Sequence, residues 1–290
     1  LLRLSEYYVW FSDKIPQICD RQTKFSDWLM KISVTIITYN EAKNIKKAIE
    51  SVSWADEILI MDSESTDETR EIAEKSGAKV CVQKWLGFAK QKQLAMDKAE
   101  FDWIFSLDAD EQVSEELKNE ILALKRENET VLADGYKIPR RTWYMNRWIC
   151  GGGWYPDWQL RFFNRTKAKW KDVAIHESVQ MAENAKIKTL KGDILHYSIP
   201  DAAYHHRLIG ERYAPLAARQ MFENGRKTSP YKIVAAGFSA FFQTYLLKGG
   251  FRDGLAGFCI ARFAAHHAFL KHLLLWELQN STDKCSDSRL

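Results

Sequence analysis

No Cys-x-x-Cys pair and no cysteine–histidine run at zinc-ligand spacing occurs in the 290 residues; Cys19, Cys81, Cys150, Cys259 and Cys285 are odd in number and scattered. A zinc site is therefore not expected, and a reducing, cytoplasmic setting suits the chain best. Equally absent are a G-x-G-x-x-G after the first expected strand and a G-x-x-x-x-G-K-[ST] anywhere. Those absences argue against a dinucleotide oxidoreductase and a P-loop NTPase. Any phosphate must be met by metal and side chains instead of a glycine-rich backbone cradle. No stretch supplies the roughly 20 apolar residues of a spanning helix. Ile233 to Leu247 is uncharged but includes Gly237, Ser239, Gln243 and Thr244, and Leu255 to Leu278 is broken by Arg262, Lys271 and three histidines. The first residues carry charges and no unbroken apolar run, so a secretory signal is not expected. Strong net charge is missing too: +4 permits an anionic ligand or membrane surface and gives no reason to expect nucleic acid.

What is present centres on Phe101 to Glu111, FDWIFSLDADE. The apolar run Trp103 to Leu107 is too short for a helix and rich in aromatics, so it reads as a buried strand. Asp108 and Asp110 follow it, and in a continuing strand they would point the same way. Two hard oxygen ligands suit a divalent cation that also holds phosphate oxygens, as Mg²⁺ or Mn²⁺ does. A solvated turn that caps the next helix is the plain alternative.

Residues 1–30 mix aromatics with charges without a clean period and read as an N-terminal extension. From Lys31 the pattern changes. Ile32 to Thr38 is mostly β-branched, as in a strand buried on both faces. Asn40 is expected to cap a helix from Glu41 to about Val52. A strand Glu57 to Met61 ends on Asp62, and Ser65 with Glu68 forms an expected capping box for a helix to Ser76. A short strand Lys79 to Val82 and a helix Phe88 to Ala99 lead into the central stretch, and Ser114 to Arg126 is helical after it. This alternation predicts a doubly wound, largely parallel α/β sheet with its ligand at the carboxyl ends of the strands. Thr38–Glu41, Asp62 and Asp108–Asp110 converge on that rim.

The segments VTIITYNE (34–41), IMDSESTDE (60–68) and LDADE (107–111) resemble the three nucleotide-sugar motifs of the family 2 glycosyltransferases, whose fold is GT-A. Further on, GGGWYPDWQLRFF (151–163), IHE (175–177) and KGGFRDGLAG (248–257) resemble the branch of lipopolysaccharide and lipooligosaccharide core β-1,4-glucosyltransferases. The resemblance covers about residues 31 to 278. It implies a GT-A, Rossmann-like, mostly parallel sheet flanked by helices, with a helical C-terminal part. The catalytic domain is then 31–200, and 201–290 a helical region able to associate with a membrane. It also implies a UDP-hexose donor, a lipid-linked oligosaccharide acceptor, and a seat on the inner face of the cytoplasmic membrane. Thr38 and Tyr39 fall in the donor motif. Glu41 and Asp62 would contact the uridine, Asp110 would coordinate the metal, and Asp108 would hold the ribose or a metal-bound water.

An inverting transfer needs a carboxylate to deprotonate the acceptor hydroxyl. Asp157, in a Gly/Trp/Tyr/Pro loop beside rings able to stack on a sugar, and Glu177 both qualify. His176 is a candidate for the metal or the pyrophosphate; Arg140, Arg141, Arg161 and Arg165 are candidates for phosphate. The reaction so implied moves glucose from UDP-glucose onto an inner-core heptose. A polyprenyl-phosphate or other polysaccharide acceptor, and a non-catalytic carbohydrate-binding scaffold, are the alternatives. Basic residues interleaved with the apolar C-terminal helices, and Trp276 among them, suit an anionic membrane surface as well as simple packing on the catalytic part.

Overall fold

The computed structural model describes residues 30–128, 130–171 and 178–287. Its first half runs β1 (Ile32–Thr38), α1 (Ile45–Ser51), β2 (Glu57–Asp62), α2 (Thr69–Lys75), β3 (Lys79–Val82), α3 (Phe88–Lys98), β4 (Trp103–Asp108), β5 (Glu111–Val113) and α4 (Glu115–Leu124). Every residue of β1 is buried, as its β-branched run requires when both faces are covered. β3, β2, β1 and β4 lie side by side and parallel, so their carboxyl ends share one rim. Ser114 caps α4, its hydroxyl accepting from the Leu117 amide at 3.2 Å.

β6 (Gly135–Tyr144), β7 (Arg147–Trp148) and β8 (Asp157–Asn164) follow. β8 returns directly along β6, so it is antiparallel to it and enters the sheet antiparallel to β4. β9 (Ala168–Lys171) and β10 (Ser178–Met181) form a separate two-stranded ribbon; β11 (Ile187–Thr189) and β12 (Ile194–His196) add to β6 in parallel. The resulting order, β3-β2-β1-β4-β8-β6-β12-β5, sets β8 and β6 beside the parallel half. One face packs Ile32, Val34, Ile36, Ile45, Ile49, Phe105 and Phe162; the other packs Leu59, Met96, Ile104, Phe163 and Trp170.

The C-terminal part is helical: α5 (Ala202–Arg207), a π-helical stretch Leu208–Tyr213, α6 (Ala214–Glu223), α7 (Pro230–Phe242), a second π-helical stretch Gln243–Leu247, a 3₁₀ turn Gly250–Asp253 and α8 (Gly254–Asp287). No helix among the described residues is long and apolar enough to cross a membrane. Glycines join this part to the sheet. A Cβ on Gly151 would lie 2.4 Å from the Gly249 carbonyl oxygen, and one on Gly257 only 1.8 Å from that of Gly250. Asp253, buried in the seam, accepts from the Cys150 and Gly151 amides at 3.1 and 2.7 Å. The glycines of 151–153 and 248–257 therefore close a joint between backbones.

His205, His266, His267 and His272 are each held below the ordinary imidazole value, first by burial, and His205 is lowered to about 4. The unfolded chain then binds more protons than the folded one below pH about 6.5, so stability falls as the pH drops. Urea midpoints should decline from about pH 6.5 towards the His205 value. His205→Phe keeps a ring against Phe263, whose centroid lies 4.1 Å away, and should flatten that decline. An unchanged slope in this variant would remove His205 from the titration.

Candidate active site

Two loops form the first part of the rim. Asn40 takes a left-handed conformation (φ 53°), which asparagine tolerates and which no N-cap adopts. Contrary to the sequence expectation it does not cap α1. Its side-chain oxygen accepts from the Thr66 amide at 2.8 Å, while its own amide donates to the Ser65 hydroxyl at 2.9 Å. Ser65 is likewise not the cap of α2. Its hydroxyl donates to the buried Asp62 carboxylate, which also accepts from the Ser65 amide at 2.9 Å. The helix starts later, at Thr69, whose amide donates to Asp67 at 3.0 Å. Donation to Asp62 orients the Ser65 hydroxyl, and its oxygen, which a helix cap would turn to the α2 amides, accepts instead from the Asn40 amide.

Glu41 is tied into the same pair of loops by its amide, which donates to the Thr69 hydroxyl at 2.8 Å. Its carboxylate accepts from Asn44 at 2.7 Å, and burial, ahead of the charge of Asp110, pushes its pKa up. Thr38 is buried with a hydroxyl that has no hydrogen-bond partner among the described residues, and Tyr39 is exposed at the edge. Thr38 and Asp62 thus end the paired strands β1 and β2, and Tyr39 and Glu41 lie on the first of the two laced loops that follow. Asp62 faces inward and orders them.

Asp108 and Asp110 do not point the same way. β4 ends at Asp108 and the chain turns through Ala109–Asp110 into β5, which breaks the alternation assumed for a continuing strand. Asp108 lies 2.8 Å from the buried Lys92 ammonium of α3 and accepts from Arg161 of β8, also at 2.8 Å. Asp110 instead stands 3.3 Å from His196 Nε2 on β12.

A line of alternating charge runs on from Asp108. Arg161 reaches Glu111 at 3.4 Å, Glu111 accepts from Arg140 at 3.0 Å, and Arg140 donates through Nε and Nη2 to Asp157 Oδ2 at 2.9 and 2.7 Å. Glu111, fully buried, also accepts from the Asp108 amide at 3.0 Å. Burial opposes ionisation of Asp108 and Glu111, but Arg161, with Lys92 at Asp108 and Arg140 at Glu111, outweighs it. Both carboxyls are held below the usual carboxylate range. The path Lys92–Asp108–Arg161–Glu111–Arg140–Asp157 joins the parallel half of the sheet to the antiparallel half.

Asp157 ends this path at a cavity of about 300 Å³, lined also by Thr142, Gly153, Trp154, Pro156 and Trp158. Gln159 donates to its other oxygen at 2.7 Å. Of the tryptophans between residues 103 and 170, Trp103 and Trp170 belong to the core, while Trp143 and Trp148 pack on each other and on Tyr197. Trp158 is exposed beside Asp157. Arg165 is bound to Asp102 and to the carbonyls of Met96 and Ala99; Arg141 stacks over Tyr155 and pairs with Asp193. His176 and Glu177 lie outside the described residues. Lys92, Glu111 and His196 are site residues that sequence reasoning passed over.

No group of three or more acids, histidines or cysteines is arranged for a metal among the described residues. The Asp110–His196 pair is nonetheless a fitting donor set for Mg²⁺ or Mn²⁺, which is held by few protein ligands when phosphates and water complete the shell.

The sequence matches the family profile "Glycosyl transferase family 2" over residues 33–185, more than half of the chain. The chain belongs to this family. It is a glycosyltransferase, as the resemblance implied, and its α/β sheet with a helical C-terminal part is the expected architecture. An uncharacterized glycosyltransferase of Rickettsia bellii is 33% identical over 86% of this chain and 87% of its own length. The lipopolysaccharide core biosynthesis glycosyltransferase LpsC of Rhizobium meliloti is 29% identical over 83% of this chain and 90% of its own. Among solved structures, S. aureus TarS 1-349 in complex with UDP-GlcNAc aligns with 87% of this chain and 92% of its own, at 15% identity and a TM-score of 0.45.

Proposed function

We propose that this glycosyltransferase is an inverting enzyme that moves glucose from UDP-glucose onto an inner-core heptose of lipopolysaccharide or lipooligosaccharide. The observation that carries the reading is the pairing of two sites on one sheet: the Asp110–His196 pair beside the laced loops, and Asp157 in a tryptophan-lined cavity, joined by the Asp108–Arg161–Glu111–Arg140 path. The name of the Rhizobium meliloti relative, LpsC, supports a lipopolysaccharide acceptor. A lipid-linked acceptor in turn requires the enzyme to work against the cytoplasmic face of the membrane.

The residues divide the work. Thr38, Tyr39, Glu41 and Asp62 shape the uridine side. Asp110 and His196 would hold a divalent ion, with His176 a further candidate, and such an ion would supply Lewis-acid neutralisation of charge on the departing diphosphate. Asp108 is kept ionised and fixed in place by Lys92 and Arg161. Asp157 takes the proton from the acceptor hydroxyl as its oxygen bonds the anomeric carbon and the carbon–diphosphate bond breaks. Trp158 offers a face for the acceptor ring. Arg140 aims the Asp157 carboxylate, and Glu177 is the competing base.

Calorimetric titration of UDP with and without Mn²⁺, followed by UDP release over a panel of nucleotide sugars, tests the reading. UDP affinity should rise at least about tenfold with Mn²⁺, and UDP-glucose should give the fastest release in the presence of a heptose-terminated acceptor. Metal-independent UDP binding, or turnover with a polyprenyl phosphate in place of the core oligosaccharide, would overturn it. Asp157→Asn should leave UDP-sugar binding intact while transfer falls by about 10²–10⁴-fold. If Glu177→Gln behaves so and Asp157→Asn does not, the base is Glu177.

A further inference from the structure

The C-terminal helices leave an apolar face uncovered. On α7, Tyr231, Val234, Phe238 and Phe242 fall within about a third of the helix circumference, and Tyr231 and Phe238 are 80% and 76% exposed. Along the chain after α7, Leu247, Phe251 and Leu255 are also exposed, by 71%, 54% and 68%. Large apolar side chains exposed in this number on one stretch of chain mark a partner.

Charge identifies the partner. Between Glu223 and Glu277 the sequence holds Arg226, Lys227, Lys232, Lys248, Arg252, Arg262 and Lys271 against a single acid, Asp253. Asp253 is buried in the glycine seam, so this region shows solvent no carboxylate. About a quarter turn from the apolar ridge, α7 lines a cavity of about 590 Å³ with Lys232 and Ser239, closed by Arg226, Lys227 and His272 over an alanine floor. Arg226, Lys227 and Lys232 have no carboxylate partner among the described residues. A cationic hollow beside an aromatic ridge matches a lipid: the head-group phosphate in the hollow, the acyl boundary against the ridge.

We infer that the face formed by α7, the turn after it and the start of α8 docks on an anionic bilayer, with a phospholipid head-group phosphate seated between Arg226, Lys227 and Lys232. The inference extends the acceptor reading above, which calls for a membrane, and its test uses neither donor nor acceptor, so the two fail separately.

The full chain is sedimented with phosphatidylcholine vesicles containing none or about 30% phosphatidylglycerol. The partition coefficient should be at least about tenfold higher on the anionic vesicles and fall at about 0.5 M salt. Phe238→Ser with Leu247→Ser should lower it by at least about tenfold on both kinds of vesicle, with UDP binding unchanged. Lys227→Glu with Lys232→Glu should abolish the preference for phosphatidylglycerol. Equal binding to both vesicles, or none, overturns the inference. So does displacement by millimolar inorganic phosphate, which would make the hollow a site for free anions. A concentration-dependent mass that Phe238→Ser removes would show the face to be covered by a second copy, and overturns it as well.

Discussion

Asp110→Asn should reduce transfer by about 10³-fold and abolish the effect of Mn²⁺ on UDP affinity, while the fold is unaffected. The size follows from the role proposed for the ion. Loss of a metal that neutralises a leaving diphosphate removes several kcal/mol of transition-state stabilisation, and about 4 kcal/mol corresponds to about 10³ in rate. The fold should survive because Asp110 is partly exposed in a turn after β4 and has no Arg or Lys partner among the described residues. His196→Ala should weaken metal-dependent UDP binding by about 10–100-fold and slow transfer less than Asp110→Asn. Full activity in Asp110→Asn would take Asp110 out of the metal site; an unchanged Mn²⁺ dependence in His196→Ala would do the same for His196. Both variants should be compared by calorimetry and by UDP release, because either readout alone confuses a lost ion with a lost base.

Arg161→Ala should cost about 3–5 kcal/mol of stability at neutral pH, the usual penalty for leaving buried charge uncompensated. The guanidinium lies between Asp108 and Glu111, at 2.8 and 3.4 Å, and its removal leaves two carboxylates facing each other with Lys92 and Arg140 at the ends. The pH dependence gives the sharper test. In the native chain both carboxyls are held low, so their contribution to stability is present above the unfolded carboxyl range and is lost as the pH falls through the folded values. In the variant burial wins, the pKa values rise, and the penalty shrinks as the two groups take up protons. The stability gap between native and variant should therefore be widest near pH 7 and narrow towards about pH 5. Urea midpoints at the two pH values measure it. A gap that stays constant would mean that the loss is one of packing.

The parallel half of the sheet was legible because its signals are local. Ile32 to Thr38 and Trp103 to Leu107 each carry enough β-branched or aromatic residues to declare a strand unaided, and the carboxylates follow at their ends. The loops were misread where two local rules competed. Ser65 and Glu68 have capping-box spacing, but the serine hydroxyl donates to the buried Asp62 and its oxygen accepts from the Asn40 amide of the neighbouring loop. The ionic path was not legible at all. Lys92, Asp108, Glu111, Arg140, Asp157 and Arg161 are brought together by the order β1-β4-β8-β6, and along the chain they are spread from residue 92 to residue 161. His196 was missed for a similar reason: it ends a three-residue strand whose place beside Glu111 depends on β12 pairing with β5. Segments 151–163 and 248–257 invited a reading in terms of substrate, and much of their glycine content instead serves the seam.

That seam sets a height. Gly151 and Gly249 meet backbone to backbone, a Cβ on Gly153 would lie 2.8 Å from the Lys248 side chain, and Leu247 and Phe251 stand on either side of the joint. The tryptophan-lined cavity and the proposed lipid face are thus parts of one block, with no flexible linker between them. On the proposed docking, Asp157 would be carried at a fixed elevation above the bilayer. Only a hydroxyl presented at that elevation would then reach it, so the length of the growing saccharide would become a gauge of which acceptor is used. An enzyme docked this way would reject an acceptor one sugar too short or too long without contacting the sugar that differs.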